Sequence, residues 1–223
     1  MTCSNKHTSD TIRTLFDRWA ITGKDERAAQ DHALVVFPVL DALDWQPTDA
    51  LLDIGCGNGY VIRHLAPRLP HGSVTGLDLS AAMLANARAM TQLNIPTTWR
   101  HADFMSWDAG PTRFDKIFSM EAFYYFSNVA AAIRKAASLL RPGGTFICIV
   151  DFYTENPASA SWPSPSACGV PMQRHAMAEW AQMFRDTGLT HVTQQQVRYP
   201  VEQATETWQR EVGSLVTMGT HAL

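Results

Sequence analysis

The stretch Leu51-Leu52-Asp53-Ile54-Gly55-Cys56-Gly57-Asn58-Gly59-Tyr60 constrains the fold more than any other part of the chain. An apolar run ends in an acid and then in three glycines at alternate positions. Beyond Tyr60 the pattern turns helical, with Val61, Ile62, Leu65, Ala66 and Leu69 spaced onto one face. The stretch therefore reads as a strand, a tight glycine turn and a helix start. Such a turn lets a ligand approach bare backbone, because each missing Cβ removes a steric barrier. The helix start adds free N–H groups and a partial positive charge, which favour a carboxylate or phosphate. The nucleotide fingerprint G-x-G-x-x-G fails, because its third glycine would fall on Tyr60. No Lys-Ser or Lys-Thr follows, so a phosphate-cradling P-loop is excluded.

A second strand, Ser73-Val74-Thr75-Gly76-Leu77-Asp78, ends in an acid, and Ser80 is placed to cap a helix running to about Leu93. Asp78 lies roughly 20 residues beyond the glycines, where an acid can accept hydrogen bonds from both ribose hydroxyls. A helix-capping role is the plainer alternative for it. Strands are expected at 50–54, 73–78, 97–101, 115–120 and 144–150, and helices at 59–69, 80–93 and 128–140. This alternation predicts a doubly wound α/β sheet whose ligands bind at the carboxyl ends of its strands. Further along, a helix is expected over 175–188, strands at 190–194 and 196–200, and a last helix over 202–216. Before the first strand, residues 1–8 read as a loose tail. Thr8 to Ala20 reads as a helix with Ile12, Leu15, Phe16 and Trp19 on one side. A second helix runs from Asp25 to about Leu43, which Pro38 should kink or interrupt.

Net charge is −3, which gives no electrostatic case for a nucleic-acid partner. Cys3, Cys56, Cys148 and Cys168 contain no C-x-x-C pair, so neither a zinc knuckle nor a disulfide framework is expected, and a reducing cytoplasm suits them. No run approaches the roughly 18 apolar residues of a membrane span, and the polar start lacks the apolar core of a signal peptide.

The D-x-G-x-G-x-G loop, the strand-end Asp78, His101-Ala102-Asp103-Phe104 after the third strand, Phe114-Asp115-Lys116-Ile117 in the fourth and Leu139-Leu140-Arg141-Pro142-Gly143-Gly144 before the fifth stand in one order and spacing. Together they resemble the motifs of class I S-adenosylmethionine-dependent methyltransferases, small-molecule type, similar to the ubiquinone/menaquinone-biosynthesis group. The resemblance covers about residues 48–200. It implies a seven-stranded, mostly parallel sheet in one methyltransferase domain, with an N-terminal helical cap over 1–47, a core over 48–200, a C-terminal tail over 201–223 and a lid-like insertion after strand 5. It implies S-adenosylmethionine as cofactor, held by Asp53, Gly55, Cys56, Gly57, Asp78, Leu79, Met83, Asp103, Phe104 and Met120. Asp103 matches the position that accepts from the adenine amino group.

The acceptor is expected to be a small molecule, bound by a monomer or homodimer with neither metal nor membrane. The segment after the fourth strand, Ser119-Met120-Glu121-Ala122, lacks the Pro-Pro signature of DNA and rRNA amino-methyltransferases. Trp19, Tyr124, Tyr153 and Trp162 are candidate acceptor-pocket residues. Phe16 and His32 are candidate wall residues from the N-terminal cap, with core packing as the plainer reading. Methyl transfer chiefly needs nucleophile, methyl and sulfur held in line. Some nucleophiles also need a base, for which Glu121, Tyr125, His32 and Asp151 are the candidates. Two other classes remain open from residues alone. One is a non-catalytic cofactor-binding protein. The other is an NAD(P)-dependent oxidoreductase, disfavoured by the missing fingerprint.

Overall fold

Ala50 to Ile54 are buried without exception, which requires cover on both faces of their sheet. In the computed structural model, which describes residues 3–162 and 170–223, that cover is helical. Strands form at Ala50–Ile54 (β1), Ser73–Asp78 (β2), Thr97–His101 (β3), Phe114–Met120 (β4), Leu140–Val150 (β5), Leu189–Val197 (β6) and Ser214–His221 (β7). They make one sheet in the order β3-β2-β1-β4-β5-β7-β6. β1 to β5 are mutually parallel, and β7 inserts antiparallel between β5 and β6.

Helices form at Cys3–Thr22 (α1), Lys24–Asp41 (α2), Tyr60–Leu65 (α3), Ala81–Met90 (α4), Val129–Ser138 (α5), Met177–Arg185 (α6) and Thr207–Glu211 (α7). Two core clusters result, one on each face. Val129, Ala132 and Ile133 of α5 join Trp180 and Phe184 of α6 against one face. Val36, Val39 and Leu40 of α2, Val61, Ile62 and Leu65 of α3, and Leu84 of α4 cover the other.

The structure departs from the sequence expectations in four places. α1 begins at Cys3, so most of the expected tail is helix. α2 passes through Pro38 without interruption, because the proline stands exposed in the last turn. β5 starts at Leu140 rather than 144. Its pairing with β4 jumps from Phe114↔Leu140 to Lys116↔Thr145, so the Pro142-Gly143-Gly144 turn is absorbed as an irregularity within the ladder. The largest difference is at the C-terminus. The residues expected as two short strands form one, β6, and the expected helix over 202–216 shrinks to α7. Gly213 then breaks the chain direction, and β7 runs through what reads as a tail in the sequence. A strand buried between two others was hidden there because Leu215, Val216 and Met218 satisfy either period in so short a run.

Candidate functional site

Going outward from the sheet centre, β1 connects toward β2 and β3 on one side, and β4 and β5 lie on the other. Loops leaving β1 and β4 therefore diverge, and a crevice opens above their carboxyl ends. A cavity of about 730 Å³ occupies that position. Its floor is the glycine loop and the ends of β1, β2, β4 and β5, and α1 and α2 close it from above. The apolar side of α1 joins neither core cluster. Ile12, Phe16 and Trp19 face the cavity instead.

The glycine loop is shaped by what touches it. Gly55 has φ 74, and a Cβ there would stand 2.6 Å from Ala122 Cβ, so the loop passes the β4 end as bare backbone. Asp78 Oδ2 accepts from Gly57 N–H at 2.8 Å, and Oδ1 accepts from Ser80 N–H at 2.8 Å. Ser80 Oγ caps α4 by accepting from Met83 N–H at 3.1 Å, and it donates to Asp17 Oδ1 of α1 at 2.5 Å. Capping thus belongs to Ser80, which leaves the Asp78 carboxylate turned to the loop and the cavity. Asp103 Oδ1 accepts from Met105 N–H at 2.8 Å, and its Oδ2 accepts from Ser9 Oγ of α1 at 2.9 Å.

At the other end, Glu121 follows β4 with φ 54, an uncommon backbone state for a residue with a side chain. Its Oε2 accepts from Tyr124 O–H at 2.7 Å, and its Oε1 accepts from the backbone N–H of Asp151 at the end of β5. Asp151 Oδ2 receives a long contact of 3.5 Å from Tyr199 O–H. Asp53 Oδ2, Tyr60 Oη and Asp151 Oδ1 are buried with no hydrogen-bond partner, and all three residues line the cavity. Buried polar atoms left unsatisfied are rare and costly, so their grouping marks a place for a polar ligand.

Burial dominates the titration of this floor. It pushes the Asp53 and Asp78 carboxyls up, Asp53 further because Asp78 lies close, while the Ser80 and Gly57 N–H groups pull Asp78 partly back. Glu121 is raised well above the usual carboxylate range by burial and by Asp151. Asp151 is raised to about 6 by burial, opposed by the Ser214 and Tyr199 hydroxyls. His32 is lowered to about 4 by burial and is neutral at neutral pH. Among the described residues the lining has seven acidic side chains against Lys24 and Arg27, a balance that favours a cationic ligand.

The sequence-derived candidates are mostly brought together. Asp53, Gly55, Cys56, Gly57, Asp78, Leu79, Met83, Asp103, Phe104 and Met120 line the cavity, as do Trp19, Tyr124, Tyr125, His32, Glu121 and Asp151. Two do not. Tyr153 is fully buried beneath β7, donating to Gly213 O at 2.9 Å and accepting from Gln196 Nε2 at 2.9 Å. Trp162 packs between Phe152 and Trp208, a layer behind the wall. Both were expected to line the pocket; the residues that do so from that side are Tyr199, Trp208 and Gln209. Gln209 O accepts from Tyr199 N–H at 2.9 Å, which fixes α7 at the cavity mouth.

Of the lid-like insertion, the described part is tied to β5 by Asn156 Nδ2 to Asp151 O at 2.9 Å and Ser159 Oγ to Tyr153 O at 2.8 Å. Of the expected lid over Glu155 to Pro171, residues 163–169 lie outside the described residues. No described helix is long and apolar enough to cross a membrane.

Residues 51–144 match a family described as "Methyltransferase domain". An uncharacterized methyltransferase of Mycobacterium tuberculosis (strain ATCC 25618 / H37Rv) is 34% identical over 145 residues, covering 64% of this chain and 70% of that one. A Haloferax volcanii putative methyltransferase, solved in complex with the Trm112 methyltransferase activator, superposes with a TM-score of 0.81 at 30% identity, over 93% of this chain and 98% of that one. The S-adenosylmethionine-dependent methyltransferase of Mesorhizobium loti shares the fold, with a TM-score of 0.66 at 24% identity over 82% and 96% of the two chains.

Proposed function

The chain belongs to the class I S-adenosylmethionine-dependent methyltransferases, and on that premise we propose that it methylates a small-molecule acceptor bound in the same cavity as the cofactor. Membership removes the oxidoreductase alternative and makes S-adenosylmethionine the methyl donor. The residues present fit that donor. The carboxylate of Asp78 has lone pairs left for ribose hydroxyls after accepting from the Gly57 and Ser80 N–H groups. Asp103 and Phe104 would take the adenine. The acidic floor suits a ligand carrying a sulfonium and an ammonium.

The observation that carries the small-molecule reading is the size and lining of the cavity. Its volume of about 730 Å³ lies in the upper part of the range for small-ligand sites, roughly 300–1,000 Å³, and the space beyond the cofactor residues is walled by aromatic rings. Phe16 meets Trp19 at 5.4 Å and Tyr125 at 5.5 Å, and Tyr125 lies 4.5 Å from Tyr124. Such a wall takes a flat or apolar molecule and excludes water. One domain working as a monomer or homodimer in the cytoplasm would suffice for this reaction.

A screen for S-adenosylhomocysteine formation tests the reading, with the isolated chain offered small phenols, alcohols, amines and carboxylic acids. Turnover of one class is the expected result. Turnover only with protein or RNA acceptors would overturn it. The Haloferax relative supplies the second reading, in which a partner subunit is needed for activity. That reading gains if the isolated chain binds the cofactor but turns over nothing until an activator protein is added.

A further inference from the structure

Glu121 and Asp151 end adjacent parallel strands, β4 and β5, and are held as a unit. Glu121 spans the gap between the strands, accepting Asp151 N–H on one oxygen and Tyr124 O–H on the other. The positive φ at Glu121 turns its side chain back over β5 instead of along β4. Asp151 keeps one carboxylate oxygen buried and unpartnered beside the cavity, with Tyr60 Oη and Asp53 Oδ2 in the same condition. Resting on the donor and acceptor reading above, we propose that Glu121 and Asp151 act as one acid pair. The pair holds a single shared proton in the free enzyme, loses it when the sulfonium binds, and takes the acceptor's proton during methyl transfer.

The surroundings leave the pair few other ways to balance charge. Asp53 approaches from β1, Tyr60 from α3, Tyr124 from the turn after β4 and Tyr199 from the segment after β6. Cys148 of β5 lies near enough for Glu121 to raise its thiol. From α2 come Asp31, which acts on Tyr199, and His32, which burial keeps neutral. The Ser214 hydroxyl also acts on Asp151, and the cavity's two cations, Lys24 and Arg27, come from α2; the groups that act most on the pair are acids, phenols and hydroxyls. Two adjacent buried carboxylates in such a place cannot both ionise without a cation, and retain a proton between them. A sulfonium is such a cation. A thioether is not.

The step balances. The acceptor's lone pair forms a bond to the methyl carbon while the carbon–sulfur pair departs onto sulfur. The hydrogen on the attacking atom passes to the doubly ionised acid pair. Positive charge on sulfur and one negative charge on the pair vanish together, so the buried site never carries an uncompensated change. It follows that the acceptor's attacking atom bears a hydrogen that must leave, as in a hydroxyl or an amine. An ionised carboxylate has no such hydrogen and would leave the pair without its proton.

Calorimetric titrations of S-adenosylmethionine and S-adenosylhomocysteine at neutral pH, each in phosphate and in Tris, count protons exchanged with the buffer. The two ligands share an ammonium and a carboxylate, so their difference reports the sulfonium alone. The expected result is release of up to about one more proton for S-adenosylmethionine than for S-adenosylhomocysteine. In Glu121→Gln and Asp151→Asn the difference should vanish while S-adenosylhomocysteine still binds. Equal proton counts for the two ligands overturn the proposal, as does a difference that persists in both variants. Failure of the wild type to bind either ligand overturns the donor reading instead. Infrared spectra of the wild type give a check that needs no variant. A protonated-carboxyl band present with S-adenosylhomocysteine and lost with S-adenosylmethionine supports the shared proton, and a band unaffected by the ligand refutes it.

Discussion

Replacing Asp78 by alanine is expected to weaken S-adenosylmethionine and S-adenosylhomocysteine binding at least a hundredfold. The carboxylate is buried and accepts from Gly57 and Ser80 N–H groups at 2.8 Å each, so it both shapes the glycine loop and lines the cavity where the ribose is proposed to lie. Hydrogen bonds to a charged group contribute roughly 1.5–3 kcal/mol each, and two ribose hydroxyls lost together correspond to about 3 kcal/mol or more. The Gly57 and Ser80 N–H groups also lose their acceptor, so the glycine loop and the start of α4 should loosen. Asp78→Asn keeps the shape but cannot accept on both sides as a carboxylate does, and should fall between wild type and alanine. Calorimetry gives the affinities, and melting curves establish that each variant is folded. An affinity within threefold of wild type for Asp78→Ala would show that the ribose lies elsewhere.

Gly213→Ala should damage the fold severely. Gly213 has φ 84, and an added Cβ would stand 2.3 Å from Val197 O, 2.6 Å from Val197 C and 2.9 Å from Arg198 Cα. All three are backbone atoms at the end of β6, so no side chain can swing aside. Its carbonyl also accepts from Tyr153 O–H. Backbone strain of about 1–3 kcal/mol adds to an overpacking cost of similar size, giving roughly 3 kcal/mol or more. For a chain of 223 residues that corresponds to a melting temperature lowered by roughly 6–12 °C. Gly23→Ala is the matched control. Its φ is 69, but no atom lies within 4 Å of the added Cβ, so it should lose only the backbone contribution. Equal losses in the two variants would show that crowding at Gly213 is relieved by movement of β6.

The parts of this molecule that local chemistry dictates were legible in the sequence. β1, its glycine turn and β2 follow from apolar runs closed by glycine and aspartate, and the cofactor candidates come from the family resemblance that those motifs carry. The parts set by long-range pairing were not. Tyr153 reads as a pocket residue because it follows a strand whose end faces the ligand, yet alternation turns it under the sheet to meet Gly213 and Gln196. Tyr199 and Trp208 read as a short strand and a helix, and only the β7 insertion brings them over the site. Ser9 and Asp17 carry no local signal at all. Their contacts with Asp103 and Ser80 span 94 and 63 residues. The apolar face of α1 illustrates a further ambiguity. Ile12, Phe16 and Trp19 have the periodicity of a core helix, and periodicity cannot distinguish a core from a ligand wall.

The measurement that bears most directly on the whole account is a crystal structure of the chain with S-adenosylhomocysteine. The expected result is adenine beside Asp103 and Phe104, ribose hydroxyls on Asp78, and sulfur turned toward Glu121 and Asp151, with the space between Phe16, Trp19 and Tyr125 left open for the acceptor. A sulfur turned away from those two acids, or a cofactor that fills the aromatic space itself, would contradict it.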